Sequence, residues 1–349
     1  MLDVGKPART LTLLLPGLLG DLPGMDQPGF PEPRAGALAE LLARGRRRSG
    51  PAEAPETLLC RLLGVAPDEN GDLPVAALTW LGDSGEADGG WWLRADPVHL
   101  RADQSRLILF DSYGLGIEPA EAEALVERFN GLYADEGWRL HAPVPERWYL
   151  RLAAPPGIRT TPLEAVIGRH IDPWLPTGPE ARQWHRILNE VQMLFHDHPV
   201  NGEREARGRP AINSVWFWGG GALPGAPHPD PLPMVWTDEP LGKGLATLAG
   251  ACRADRPADG REWLSQAGSG GHVAVIEDLH GPALYGDLEA WAQGVEALET
   301  TWFTPLVQAV KQGMLQTVTL FPGNGQSWHL DRGALRRFWR RPRGLGAWG

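Results

Sequence analysis

His198-Pro199-Val200-Asn201-Gly202-Glu203-Arg204, running on to Asn213-Ser214-Val215-Trp216-Phe217-Trp218-Gly219-Gly220-Gly221, is the stretch on which the reading of this chain turns. Two tryptophans stand beside three glycines, outside any helical or strand periodicity. A solvated loop has no use for that pairing. It predicts a backbone turn that comes very close to something and is walled by indole rings. That something is either a ligand or another strand.

Working outward, the segment 179–196 places Trp184, Ile187, Leu188, Val191, Leu194 and Phe195 at steps of three and four, so a long amphipathic helix leads into the motif. Beyond it, 270–277 reads as a strand, 288–310 as a helix and 317–321 as a last strand. At the other end, Leu11-Thr12-Leu13-Leu14-Leu15 is an apolar run that Pro16-Gly17 stops, with no small-residue cleavage site after it; it reads as a buried first strand rather than a signal segment. Residues 35–43 have helical spacing, 44–49 form a short basic turn, and 56–63 form another helix. Between these flanks lie strands at 99–103 and 107–110, a helix over 119–132 with Pro119 near its start, and strands at 138–141 and 148–152. Sheet plus helix can bury its own core and be inserted as a unit, with Pro155-Pro156-Gly157 closing it. The expectation is an α/β fold: a mostly parallel sheet flanked by helices, formed by 1–95 and 200–349, and an inserted α+β lobe over 96–199 with its connecting helix.

Composition narrows the classes. The chain has 349 residues, enough for a large core with an inserted lobe. Acidic residues outnumber basic ones 43 to 33, so the bulk surface repels nucleic acid and anionic membranes. Arg332, Arg336, Arg337, Arg340, Arg341 and Arg343 crowd the C-terminus beside Phe338, Trp339 and Trp348; this reads either as a solvated end or as a tail for an anionic partner. Cys60 and Cys252 have no metal-ligand spacing and suit a reducing cytoplasm. No run approaches membrane-spanning length.

The motif H-P-V-N-x-x-R followed by N-x-x-W-F-W-G-G-G resembles the archaeal-type, cofactor-independent phosphoglycerate mutases of the alkaline phosphatase superfamily. It is closer still to a bacterial phosphoglycerate-mutase-like branch of RpfE-type regulatory proteins. The resemblance implies an alkaline-phosphatase-like core and two divalent metals that activate a serine nucleophile. It places the first metal ligand in an Asp-Gly pair after the first strand, where this chain has Pro16-Gly17, and proline has no donor atom. An Asp-His pair expected after the last strand is replaced by Pro322-Gly323-Asn324-Gly325. Another acidic element is matched by Asp278, His280 and Asp287, and His329 could stand in for a later histidine. Those four would make one divalent metal site at most; Asp278 and His280 could equally be a loop hydrogen-bonding pair. The nucleophile position is matched only by Thr57, which could instead cap a helix with Glu56.

The same resemblance assigns anion contacts to Arg101, Asp103, Arg147, Asn201 and Arg204. Converging guanidiniums suit phosphate or carboxylate. Asn213, Trp216 and Trp218 either join that pocket or seal a joint between sheet and lobe. Asp83-Ser84-Gly85 and Gly242-Lys243-Gly244 only partly match phosphate loops, and His196-Asp197-His198 reads as a helix-end cap. Three functions remain open. One is a mutase-like protein that has lost phosphoryl transfer and acts as an anion-binding or regulatory protein, with no cofactor. The second is a divergent metal-dependent phosphatase or mutase using Asp21, Asp278, His280, Asp287 and His329. The third is an interaction protein that docks a protein partner or nucleic acid through its Arg/Trp tail.

Overall fold

The computed structural model describes residues 9–20, 22, 30, 32–50, 54–67, 72–104 and 106–348. The chain opens with β1 (Arg9–Leu14), whose Leu11, Leu13 and Leu14 are all buried, as a strand covered on both faces requires. Next come α1 (Gly36–Arg44), β2 (Arg46–Ser49) and α2 (Pro55–Leu62). The basic run expected as a turn is therefore a strand. Its four residues are exposed and carry no apolar alternation, so only backbone pairing marks them as sheet.

The middle of the chain forms α3 (Val75–Ser84), β3 (Trp91–Asp103), β4 (Arg106–Phe110), α4 (Pro119–Leu132), β5 (Arg139–Val144), β6 (Arg147–Leu152), α5 (Ala181–His196), α6 (Pro199–Ala206) and β7 (Ser214–Gly221). The remainder gives β8 (Met234–Trp236), α7 (Pro240–Ala249), β9 (Arg253–Ala254), α8 (Gly260–Gln266), β10 (Gly270–Val275), α9 (His280–Tyr285), α10 (Leu288–Leu298), α11 (Thr304–Gln312), β11 (Thr317–Phe321), β12 (Gln326–Asp331) and α12 (Arg332–Leu335). The expected single helix over 288–310 is divided by a π-helical turn at Glu299–Phe303. Pro305 has no N–H to continue the ladder. The Glu299 carboxylate accepts from the N–H groups of Ala37 and Leu38, at 2.6 and 3.0 Å, and so caps α1.

Two compact units result: Met1–Val65 with Ala226–Gly349, and Ala66–Gly225. The first holds a seven-stranded sheet in the order β2-β12-β11-β1-β10-β8-β9. β1 lies parallel between β10 and β11, β8 and β9 continue in parallel, and β12 and β2 form an antiparallel edge. This is the mostly parallel, helix-flanked α/β sheet expected. The second unit is built on β3, which pairs antiparallel with β4, β6 and β7. The unit boundaries therefore differ from the expected 96–199. β3 begins at Trp91 and β7 ends at Gly221, and their pairing draws α3 and the tryptophan-glycine motif into the smaller unit.

Nine of the sixteen tryptophans are fully buried, so the aromatic bias fills cores rather than surfaces. No helix among the described residues is long and apolar enough to cross a membrane.

Candidate functional site

In an open parallel sheet the carboxyl ends of the strands face the crevice where ligands bind. Here β1 runs through Leu15 into the Pro16-Gly17 turn. Leu15 N–H donates to the Phe321 carbonyl at 2.9 Å, and the buried Trp291 indole donates to the Gly17 carbonyl at 2.7 Å, fixing the turn. Gly17 has φ +81°, and a β-carbon there would lie 2.6 Å from the Leu279 carbonyl oxygen. Only glycine fits both demands. A cavity of about 220 Å³ opens at this point, lined by Pro16, Gly17, Leu19, His280, Ala283 and Gly323 among others. No carboxylate is among its described lining residues; Asp21 lies outside the described residues.

The candidate metal ligands are dispersed. Asp278 accepts two hydrogen bonds from Arg256 Nη1, at 2.8 and 3.0 Å, and Arg256 Nε also lies 3.6 Å from Asp238. A guanidinium thus sits between carboxylates that follow β8 and β10. Asp278 thus has a cationic partner of the chain's own. Asp287 caps α10, accepting from Ala290 N–H at 2.9 Å. His280 begins α9 and lines the cavity. His329 is on β12 with Nδ1 3.1 Å from the Thr319 hydroxyl; burial, foremost, pulls its pKa below the ordinary histidine value. Among the described residues no three His, Cys, Asp or Glu side chains gather as a metal site. These residues do not fit the dinuclear centre that the resemblance implies. Thr57 lies in the first turn of α2, but it does not cap it: Ala54 holds the N-cap position, and no side chain bonds there.

The residues expected to converge on an anion have separate partners. Arg147 donates to both oxygens of Asp83, at 2.6 and 2.8 Å, and Tyr149 donates to the same carboxylate at 2.6 Å. Burial pulls the Arg147 guanidinium down, but its bonds to Asp83 and the nearby charges outweigh this and raise it. Burial likewise pushes the Tyr149 phenol well above its ordinary value. Arg101 lies on β3 with its guanidinium 4.6 Å from the Phe110 ring centre, and Asp103 is 3.9 Å from His170 Nε2. Arg204 is fully buried. Its Nε donates to the Pro210 carbonyl at 2.8 Å, and its two terminal nitrogens reach Glu121 and the Leu115 carbonyl, each at 2.5 Å.

The asparagines of the motif bind backbone. Asn201 Oδ1 accepts from Ile212 N–H at 2.8 Å, and its Nδ2 donates to the Ile212 and Phe195 carbonyls at 2.9 and 2.7 Å. Asn213 brackets Leu100 in the same way, at 2.7 and 2.8 Å. Trp216 donates to the Thr161 carbonyl at 2.8 Å, and Trp218 donates to Asp96 at 2.7 Å. The glycines after them lie in β7 rather than in a turn, pressed against Pro74, Val75 and Leu93. The close approach is to the chain's own α3 and β3. His198 caps α6, the helix that follows, accepting from Val200 N–H at 3.3 Å.

Sequence reasoning missed Arg94 and Asp96. Arg94 is bonded to Asp96 at 2.6 Å and packs over the Tyr149 and Trp218 rings at 5.3 and 5.2 Å. Alternating charges in an apolar strand, Arg94-x-Asp96, are the signal that was there to find. It also missed a second cavity of about 240 Å³ that shares Gly323 with the first and is lined by Arg48 and Arg61.

No family model matches the chain. It is similar to the 2,3-bisphosphoglycerate-independent phosphoglycerate mutase of Methanothrix thermoacetophila, 27% identical over 232 residues that cover 61% of this chain and 59% of that protein. A protein of the same name from Methanosarcina barkeri is 28% identical over 110 residues, covering 31% of this chain and 28% of that one. The matches therefore span less than two thirds of either relative. Among solved structures, the PH0037 protein from Pyrococcus horikoshii aligns at TM-score 0.54 and 14% identity, covering 94% of this chain and 88% of that one, a likeness of fold. The cofactor-independent phosphoglycerate mutase from Thermoplasma acidophilum aligns at TM-score 0.48 and 20% identity, covering 94% and 90%.

Proposed function

We propose that this phosphoglycerate-mutase-like chain does not carry out metal-dependent phosphoryl transfer, and that it binds a small anion at the carboxyl ends of β1 and β11 as a regulatory protein of the RpfE-type branch. The observation that carries this reading is Arg256. A tethered cation bridges Asp278, a matched ligand position, and Asp238, and so occupies a carboxylate that a divalent ion would need, while Pro16 offers no donor on the opposite side of β10. Without a metal, the Thr57 hydroxyl has no means of losing its proton near neutral pH. The paired cavities supply the binding half: small ligand-sized spaces, with Arg48 and Arg61 lining one of them.

The test is an assay for interconversion of 2- and 3-phosphoglycerate with manganese, magnesium, zinc or cobalt, together with metal analysis of the purified protein. The expected result is no turnover and substoichiometric metal. Robust interconversion, or stoichiometric metal that Asp278→Asn removes, overturns the reading in favour of a divergent metal-dependent enzyme. Calorimetric titration with inorganic phosphate and 3-phosphoglycerate tests the binding half, and Arg48→Ala is expected to weaken that binding several-fold.

A further inference from the structure

Ten of the chain's 33 basic residues fall in two short runs, Arg44–Arg48 and Arg332–Arg343. The fold brings the runs side by side. β2 pairs with β12, Arg44 donates to the Leu335 carbonyl at 3.2 Å, and Arg337 donates to the Arg44 carbonyl at 3.5 Å. The segment 336–343 is held at both ends. Ala334 and Leu335 are buried on one side; on the other Leu345 is buried and Trp348 packs edge-on against Trp328 at 6.3 Å. Between these anchors Phe338 and Trp339 stand 77% and 67% exposed, edge to face at 5.4 Å.

Exposing two adjacent large rings costs free energy that burial would recover, so such a pair marks an interaction surface. Two of the described carboxylates near this face are already engaged. Asp331 pairs with Arg46 and caps α12, and Glu40 pairs with Arg44 and Lys311. Arg340, Arg341 and Arg343 pair with no carboxylate among the described residues.

We propose that this arginine and aromatic loop is a binding surface for single-stranded nucleic acid. Unpaired guanidiniums suit phosphate oxygens, and exposed rings between them suit stacking on unpaired bases. Charge geometry favours a single strand over other polyanions. The protein carries a net −10 while the patch is locally basic, and screening confines attraction to roughly 8 Å at physiological salt. A flexible strand can follow the patch alone. A duplex or a lipid surface brings a broad plane of charge against the acidic remainder, and an acidic peptide leaves the two rings without a partner.

The experiment is fluorescence anisotropy of a labelled twelve-residue oligodeoxythymidine with the full chain, between 50 and 200 mM salt. With about four phosphate contacts, log affinity against log salt should fall with a slope of about −3. Phe338→Ala with Trp339→Ala should weaken binding about tenfold or more at unchanged melting temperature. Arg340→Ser with Arg341→Ser should flatten the slope by about 1.4. Absence of binding at 50 mM salt overturns the proposal, as does binding that survives loss of both rings. Equal or tighter binding of a duplex, of phosphatidylserine vesicles or of polyglutamate also overturns it. Neither double variant touches a residue lining the anion cavities, so this test and that of the proposed function succeed or fail separately.

Discussion

At the scale of single residues, asparagine is used here as a substitute for backbone. Asn130, Asn201 and Asn213 each present their amide oxygen to an N–H and their amide nitrogen to the carbonyl of one residue: Leu140, Ile212 and Leu100 respectively. A planar side-chain amide has the donor and acceptor spacing of a peptide group, so it satisfies the backbone of these buried residues, Ile212 among them lying just outside β7. Arg204 does comparable work on three segments at once, and its partner Glu121 also closes the α4 capping box by accepting from Glu118 N–H at 2.9 Å. Arg204→Ala strands a buried carboxylate and two carbonyls, so denaturant unfolding should show a loss of about 3–5 kcal/mol. Arg204→Lys should recover little of it, because one ammonium cannot span three acceptors. Adding Glu121→Gln to Arg204→Met should recover part of the loss; a double variant as unstable as Arg204→Ala would show that the pair is not the source.

At the scale of elements, β7 is the joint of the smaller unit. It pairs with β3, and its closing glycines leave room for the start of α3. A β-carbon on Gly221 would lie 2.7 Å from Pro74 Cα, against backbone that cannot move aside, whereas one on Gly220 would meet Leu93 Cδ2 at 2.8 Å, the end of a flexible side chain. Gly221→Ala should therefore cost about 1–3 kcal/mol, read as a fall in melting temperature, and Gly220→Ala less. Equal effects at the two sites would mean that α3 yields more readily than its backbone contact implies.

At the scale of the whole molecule, burial is the leading cause that depresses the pKa of His141, His198, His272 and His329. Two of them act as acceptors that protonation would abolish: His198 Nδ1 takes the Val200 N–H, and His272 Nδ1 takes the Trp236 indole N–H at 3.1 Å. A histidine with its folded pKa below its unfolded one binds fewer protons when folded. Its contribution is intact above about pH 6.5 and is lost as pH falls through the depressed value. Asp88, held low chiefly by its Arg151 hydrogen bond, adds a loss of the same sign as pH falls below about 4. Unfolding free energy measured from pH 7.5 to 5 should decline, and His141→Gln should flatten part of the decline. A level profile would show that these rings are as solvated when folded as when unfolded.

Periodicity and composition were enough to determine the α/β class, the buried first strand, α5 and the helix-sheet texture of the lobe, because burial on one face writes itself into local spacing. Pro16 at the end of β1 was also legible, since a missing donor atom is a property of one residue. What only the tertiary structure decided was partnership. The motif arginines and asparagines carry the same letters whether they hold a ligand, a carboxylate or a carbonyl. Arg147 is claimed by Asp83 and Arg204 by Glu121, both distant in sequence, and Asp278 is claimed by Arg256. The edge strand β2 was equally hidden, because backbone pairing with β12 leaves no apolar trace in Arg46-Arg47-Arg48-Ser49. Hydrogen-bond partners and strand neighbours are set by chain crossings between remote segments, and no local pattern encodes them.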